Sequence, residues 1–164
     1  MTASPELQAI AATLQQGAKL HPVPLLIELG DCRLRIRSNS AELLQQLGKY
    51  FDFVRGHGEA ADIDIIAIDS PVLDTGLEFT DWSREPGKTG RKDAYFDLPG
   101  GRLVHKVRTG MLFLQSEELR IAAGPCRRYD NQVINFINSQ YMNWLQQRDW
   151  LICHAAALTS GSRG

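Results

Sequence analysis

The residues of this chain that could bind a phosphate group lie in the segment PGKTGRK, residues 86–92. Gly87-Lys88-Thr89 matches the end of a Walker A loop, in which backbone amides and a lysine surround nucleotide phosphates. That loop also requires a glycine five positions before Gly87, and Trp82 stands there instead. No strand pattern precedes the segment and no helical pattern follows it. We therefore interpret it as a basic surface loop.

Three aspartates of one predicted strand offer carboxylate oxygens, the ligands that hard cations prefer. Asp62 and Asp64 alternate with Ile63 and Ile65, which places both carboxylates on the solvent face of the strand, and Asp69 follows at its end. A hard-cation site needs several oxygens that converge from a loop, and this pattern does not provide them. The sequence therefore predicts no metal site.

Three histidines could act as general acids, general bases or metal ligands: His21, His57 and His105. None has a partner at ligand spacing, and His105 lies in an alternating pattern that predicts a surface position on a strand. Pairings such as Ser-His-Asp assemble in space rather than in sequence, so spacing alone does not identify one. Composition and spacing predict a folded domain and no particular chemistry.

The charge balance of the chain excludes long-range electrostatic attraction of a highly charged partner. The formal net charge is -1, so the chain has no global attraction for nucleic acid or for an anionic membrane. One local basic cluster consists of Arg84, Lys88, Arg91 and Lys92. We interpret it as a solvated loop, with contact to an acidic partner as the alternative.

Length, composition and cysteine usage predict a globular cytoplasmic protein. The chain has 164 residues, 43% hydrophobic and 23% charged, which fits one domain or one domain and part of a second. Its three cysteines, Cys32, Cys126 and Cys153, are widely spaced and suit a reducing compartment. No apolar stretch approaches the roughly 20 residues of a membrane span, and the N-terminus lacks a signal-peptide pattern.

Periodicity predicts a helix and a hairpin at the start of the chain. Ser4 is a good cap and Pro5 a good first residue for an amphipathic helix that ends near Gly17. Two strands then flank Gly30-Asp31, a pair that favours turns. The second strand directs its arginines to the solvent face: Arg33, Arg35 and Arg37.

A second helix, a strand and a long loop follow. Ser40 is the expected cap of the helix, whose inward residues are Leu43, Leu44 and Leu47. Residues 61–69 read as a strand. Residues 71–92 are polar and lack periodicity, which predicts a long loop of the kind that is often functional or mobile.

The C-terminal half contains an antiparallel meander and a long helix. The segments AYFDL, RLVHKVR, MLFLQ and LRIAAG are short strands separated by turns. A helix of roughly 18 residues, about 27 Å long, should follow, with Asp130 or Asn131 as its cap and Arg148 at its other end. Its apolar stripe comprises Val133, Ile134, Ile137, Tyr141, Trp144 and Leu145. The sequence thus predicts an α+β fold, an antiparallel-rich sheet with flanking helices.

The run WLICHAAAL, residues 150–158, is apolar on both faces apart from His154. Such a pattern is typical of an interior strand of a sheet that is covered on both sides. An edge strand would normally carry a charge or a proline, and this run has neither. We expect a sheet of the N-terminal part, the long helix or another copy of the chain to cover it.

The segment from Tyr95 to Leu158 resembles the approach to the kinase core in proteins related to HPr kinase/phosphorylase, most closely the HprK-related kinases. In that family an apolar strand carries a histidine followed by a small residue, and it precedes the P-loop. Leu151 to Leu158, with His154 and Ala155, match that strand, and SGSRG matches the turn after it. The GxxxxGK[ST] loop is not among the 164 residues.

The resemblance implies a bacterial, ATP-dependent protein serine kinase whose core has a phosphoenolpyruvate-carboxykinase-like fold. Residues 1–125 would be an N-terminal α/β domain for substrate recognition, regulation or assembly. Residues 126–164 would be a linker helix and the first strand of the core. ATP and Mg²⁺ would bind only in the longer parent protein, with no cofactor in this chain, which we expect to be inactive alone. The phosphoacceptor would be a serine on a small protein or peptide.

By the same resemblance His154 would stand near the transferring phosphoryl group, where it would position or neutralise charge. The alternative is a histidine that hydrogen-bonds inside a strand and has no chemical role. Two other functions stay open for the chain. It could be a complete, non-catalytic binding module that uses residues 71–92 or its sheet, or a self-association domain that exchanges its last strand between copies.

Overall fold

The computed structural model describes residues 3–87, 89–91 and 93–152 of the chain. The described residues form three α-helices and one eight-stranded mixed sheet, so the predicted α+β class is confirmed. The helices are α1 (Pro5–Gln15), α2 (Ala41–Tyr50) and α3 (Asp130–Gln146), with a 3-10 turn at Asp52–Val54. The strands are β1 (Leu25–Leu29), β2 (Cys32–Ser38), β3 (Ile63–Asp69), β4 (Thr80–Asp81), β5 (Asp93–Leu98), β6 (Gly101–Lys106), β7 (Met111–Ser116) and β8 (Arg120–Gly124).

The sheet joins a small parallel centre to antiparallel flanks. Its strand order is β1-β2-β3-β8-β7-β6-β5-β4. Strands β2, β3 and β8 run parallel, while β1 pairs antiparallel with β2 and the β5–β8 meander is antiparallel throughout. The chain therefore leaves the sheet centre after β3, builds the far flank, and returns with β8 to lie beside β3.

The predicted hairpin is present, and its turn explains the glycine at residue 30. Leu29 pairs with Cys32, so Gly30 and Asp31 form a two-residue loop. Gly30 has a φ of 58°, a left-handed conformation that glycine adopts without steric cost. The pairing of Leu25 with Ile36 sets the register of the whole hairpin. That register buries Leu34 and leaves the arginines of β2 on the solvent side, as predicted.

Helices cover both faces of the sheet and create two cores. On one face α2 and α3 pack over β1, β2 and β3, with Ile27, Ile36, Leu43 and Val133 fully buried. On the other face α1 packs against β8 through Leu7, Ala11 and Leu14. The caps of α1 and α2 are those predicted, because Ser4 and Ser40 each accept a backbone N–H three residues later.

The start of α3 differs from the sequence prediction. Neither Asp130 nor Asn131 is the cap: Asp130 is the first helical residue, and Tyr129 occupies the cap position without a side-chain hydrogen bond. The physical reason is the turn before the helix, in which the Arg128 and Tyr129 N–H groups donate to the Pro125 carbonyl. The chain thus enters α3 already coiled. Asp130 still places its carboxylate in the first turn, where the helix dipole favours it.

The long loop predicted for residues 71–92 contains one short strand, β4. Residues 71–92 were predicted to lack secondary structure, and β4 pairs Thr80 with Tyr95 and Asp81 with Ala94. Two residues are too few for a period-two pattern to be recognised in sequence. This short edge strand positions Trp82, whose N–H donates to the Asp93 carbonyl at 3.3 Å.

Candidate functional site

An open groove lies between α3 and the β5–β8 meander, and it is the most complete candidate site in the described residues. Its first part, beside the C-terminal half of α3, is a cavity of about 710 Å³. Its second part, about 590 Å³, lies beside the N-terminal half of α3. Both parts share Trp82, Val104 and Gln115 as lining residues, so they form one elongated depression. We call it the α3 groove.

The floor of the α3 groove carries a row of polar side chains from four strands. Asp97 on β5 pairs with Arg102 on β6, Arg102 with Gln115 on β7, and Gln115 with Arg120 on β8. Cross-strand partners face the same side of a sheet, so these four side chains lie side by side. Within the row Arg102 donates from Nε to an Asp97 carboxylate oxygen at 2.6 Å.

Arg120 is the member of this row that has no partner of opposite charge close by. Among the described residues no carboxylate oxygen lies within 4.0 Å of its guanidinium and no hydrogen bond from it is found. The side chain is half-buried, and this burial lowers the pKa of Arg120, an effect that the more distant Asp64 and Glu117 charges oppose. The guanidinium stays protonated because arginine does not lose its proton in proteins.

A second polar group without a partner belongs to a residue that lines the same part of the groove. The indole Nε1 of Trp144 is buried and has no hydrogen-bond acceptor among the described residues. The ring itself is fixed on α3, because the Arg148 guanidinium lies 3.7 Å from the ring centroid and Tyr141 stacks on it at 6.3 Å. Arg148 thus occupies the C-terminal end of α3 as predicted, and it also donates to the Trp144 carbonyl.

An aromatic and cationic wall closes the side of the groove away from α3. The rings of Trp82 and Tyr95 lie 5.1 Å apart, and the Arg102 guanidinium lies 4.6 Å from the Tyr95 centroid. The contact with the Tyr95 ring holds Arg102 in place together with Asp97. Amide side chains from α3 complete the opposite wall: Gln140, Asn143, Gln146 and Gln147.

A second candidate lies at the carboxyl ends of the parallel strands, where open α/β sheets usually bind ligands. A cavity of about 690 Å³ is lined there by Glu42, Asp69 and Arg127. Arg127 donates from its backbone N–H and from Nε to Asp69, and its guanidinium also pairs with Glu42. The Asn39 side chain bonds both the N–H and the carbonyl of Asp69. Both carboxylates bind the one Arg127 guanidinium, so the cluster ties α2 and the end of β3 to the turn after β8 and is already occupied by intramolecular partners.

The aspartates considered for metal binding pair with the arginines of β2. Asp62 accepts from the Arg33 backbone N–H at 2.8 Å, and Asp64 accepts from Arg35 and Arg37. Asp62 directly precedes β3, and Asp64 lies on the face of β3 opposite the buried Ile63 and Ile65, as predicted. No group of three or more potential metal-ligating side chains occurs in the part of the chain that the structure describes.

The cysteines with a described environment are poor nucleophiles. Burial raises the pKa of the Cys32 thiol to about 11, and burial also raises the pKa of Cys126. Cys126 lies in the core and donates from Sγ to the Ile68 carbonyl at 3.2 Å. A thiol must ionise to attack a substrate, so neither residue is suited to that role.

The histidines with a described environment do not converge with any of these groups. His57 is exposed, and the Nδ1 of His21 lies 3.1 Å from the Val23 carbonyl. His105 corrects a prediction: it is half-buried against Phe79, with 5.1 Å between ring centroids, rather than on the open surface. This burial, together with the charge of Arg91, lowers the pKa of His105.

Several residues singled out in the sequence lie outside the described residues. Among them are His154, Cys153 and the lysines of the basic cluster, Lys88 and Lys92. The arginines of that cluster have intramolecular partners: Arg91 binds the Asp81 carboxylate and Arg84 the Thr89 carbonyl.

The groove residues Arg120, Trp82 and Trp144 were not selected as functional from the sequence. One signal was available, because Arg120 alternates with Ala122 on the inward face of β8, where a charged residue is unusual. The neighbours that make Arg120 conspicuous are Trp82 after β4, Gln115 on β7 and Trp144 on α3, and the two tryptophans are distant from it in sequence. Their approach depends on the position of β8 beside β7, which a single-strand pattern does not encode.

The described residues form a mixed α+β domain with a large open groove beside α3. No family model, no curated protein and no solved structure matches the chain. Of the helices that the structure describes, none combines the length and the apolar character needed to cross a bilayer.

Proposed function

We propose that this chain is the N-terminal part of an ATP-dependent protein serine kinase related to HPr kinase/phosphorylase. The observation that carries the proposal is the order of elements in the sequence between Tyr95 and Leu158. A meander, a long helix and an apolar run with a central histidine follow one another there, as they do before the P-loop in that family. The meander corresponds to β5–β8 and the helix to α3.

In this proposal the chemistry belongs to residues beyond Gly164, and this chain supplies recognition. A P-loop in the following sequence would hold ATP and Mg²⁺, and His154 would stand near the transferring phosphoryl group. The phosphoacceptor would be a serine on a small protein or peptide, and the kinase would work in the bacterial cytoplasm. The α3 groove is the recognition surface that supports this role best, because it is concave and lined by polar and aromatic side chains.

The next part of the coding sequence tests the proposal at little cost. About fifty further codons should contain a strand pattern followed by GxxxxGK[ST], the loop that surrounds nucleotide phosphates. The protein extended to include them should consume ATP, and replacing the lysine of that loop should abolish turnover. If the following codons hold no such loop, or if the extended protein lacks ATP turnover, the proposal is wrong.

A binding or self-association module is the second candidate, and one structural observation favours it. Trp150 and Leu151, the first residues of the apolar run, are 64% and 87% exposed. Two large apolar side chains at adjacent positions are suited to contact with a partner or with a second copy. Light scattering over a dilution series distinguishes these cases: a mass fixed at 18.3 kDa excludes self-association, and a concentration-dependent doubling supports it.

A further inference from the structure

We propose that the part of the α3 groove nearest β8 binds the carboxylate of a small polar organic acid. Arg120 supplies the charge partner, and the indole N–H of Trp144 supplies a second hydrogen-bond donor. This assignment is independent of the kinase proposal, because it depends only on the groups that line the cavity of about 710 Å³.

Arg120 has no direct ion-pair partner among the described residues, and only the more distant Asp64 and Glu117 charges act on it. A half-buried cation without a counter-ion loses hydration and gains no direct electrostatic partner in return. Elsewhere on the sheet the corresponding arginines are paired: Arg102 in the same row holds Asp97, and Arg35 holds Asp64. A ligand carboxylate beside Arg120 would give this residue the type of partner that Asp97 gives Arg102.

Both groups without a partner, the Arg120 guanidinium and the Trp144 indole N–H, are hydrogen-bond donors. An indole N–H only donates hydrogen bonds, and a guanidinium only donates them as well. The Trp144 Nε1 is buried without an acceptor, and Trp144 and Arg120 line the same cavity. Two donors that lack protein acceptors at one site favour a ligand rich in acceptor atoms. An oxyanion meets this requirement, and a cation or an apolar molecule does not.

The volume and the lining of the cavity limit the size and the charge of its ligand. A cavity of about 710 Å³ is in the range of small-molecule sites. Gln115, Asn143 and Gln147 offer amide groups that both donate and accept, which suits a ligand with hydroxyl or amide substituents. Glu117 also lines the cavity and repels every anion, but it repels a dianion more strongly, so a singly charged carboxylate fits better than a phosphate dianion.

The binding experiment uses the full chain labelled with ¹⁵N, and it observes the indole N–H signals. The Trp144 signal is assigned from its loss in the Trp144→Phe variant. The probes are lactate, benzoate and N-acetylglutamine, each added to roughly 20 mM, with lactamide and benzamide as neutral analogues. We expect at least one carboxylate to shift the Trp144 signal with saturation, and its neutral amide to bind at least about ten-fold more weakly.

Variants then locate the site. Arg120→Gln should weaken binding of the same probe by about ten-fold or more, and Arg120→Lys should retain part of the affinity. The matched control is Arg128→Gln, which removes an exposed arginine beside the carboxyl-end cavity. It should change the dissociation constant by less than about two-fold. Circular dichroism confirms that each variant is folded.

Three results would overturn the assignment. The first is no shift of the Trp144 signal with any of the three carboxylates. The second is binding to the Arg120→Gln variant that equals binding to the unaltered chain. The third is tighter binding of inorganic phosphate than of every carboxylate, which would identify a phosphate site instead.

Discussion

Asp64 is the residue at which the charges of the outer sheet surface meet. It accepts hydrogen bonds from Arg35 Nε at 2.9 Å and from Arg37 Nε at 3.1 Å. Burial alone would raise the pKa of Asp64, but the hydrogen bonds and charges of the two arginines outweigh burial and hold that pKa below its usual range. The carboxylate is therefore bound more strongly in the folded state than its protonated form.

Replacing Asp64 should make the protein less stable and less sensitive to acid. Because the folded pKa is depressed, the stabilisation is present above the unfolded pKa of about 4 and is lost as pH falls through the folded pKa. We expect Asp64→Asn to lower the free energy of unfolding by about 1 kcal/mol at pH 7, a modest value for a partly exposed ion pair. Urea denaturation at pH 7 and at pH 3 measures this difference, which should shrink at pH 3. An equal difference at both values would contradict the account.

Arg120 should have the opposite effect on stability when no ligand is present. Its half-buried guanidinium has no ion-pair partner among the described residues, so an apolar side chain of similar length avoids the loss of hydration. We expect Arg120→Met to leave the thermal midpoint unchanged or to raise it. The corresponding gain in the free energy of unfolding should be at most about 1 kcal/mol. Arg102→Met is the matched comparison and should destabilise, since it leaves Asp97 unpaired. A loss of more than about 1 kcal/mol in Arg120→Met would show that the guanidinium stabilises the free protein.

At the level of elements, periodic patterns of burial were predictable from the sequence. A helix start that depends on a neighbouring element was not. The alternation of residue types in β2 predicted Leu34 inside and Arg35 outside, and the structure confirms both positions. Helix α2 was predictable from its cap and its leucines. The cap of α3 was predicted wrongly because the preceding turn, which begins at Pro125, depends on where β8 ends. Sequence patterns report periodic burial, whereas caps after turns depend on the neighbouring element.

The cap of α2 offers a test of one element. The Leu43 N–H donates to Ser40 Oγ at 3.2 Å, which satisfies one of the free amides in the first turn. Ser40→Ala should therefore lower the free energy of unfolding by about 1 kcal/mol. Ser40→Asp is the control, because aspartate caps helices as well as serine does and should keep most of the stability. Equal loss in both variants would show that Ser40 acts otherwise than as a cap.

For the whole molecule, the decisive feature is the return of β8 to the sheet centre. Ile66 on β3 pairs with Ile121 on β8, so the strand that completes the parallel centre is the last strand of the meander. The pairing of β8 with β7 on its other side places Arg120 beside Gln115, in the cavity next to the C-terminal half of α3. The elements of the groove were predictable one by one. Their juxtaposition was not, because it arises from contacts between residues far apart in the chain.

The kinase proposal assigns substrate recognition and nucleotide binding to different parts of the protein. If the kinase proposal is right, recognition lies in the domain described above, and the backbone amides, lysine and Mg²⁺-binding hydroxyl of a P-loop lie beyond it. The basic segment 86–92 would then have no part in nucleotide binding.

Calorimetric titration with Mg-ATP tests this claim most directly, with the 164-residue chain and the protein extended past Gly164 measured side by side. The account predicts no binding heat from the 164-residue chain and saturable binding by the extended protein. Micromolar binding of Mg-ATP to the 164-residue chain would contradict it, as would the absence of binding to the extended protein.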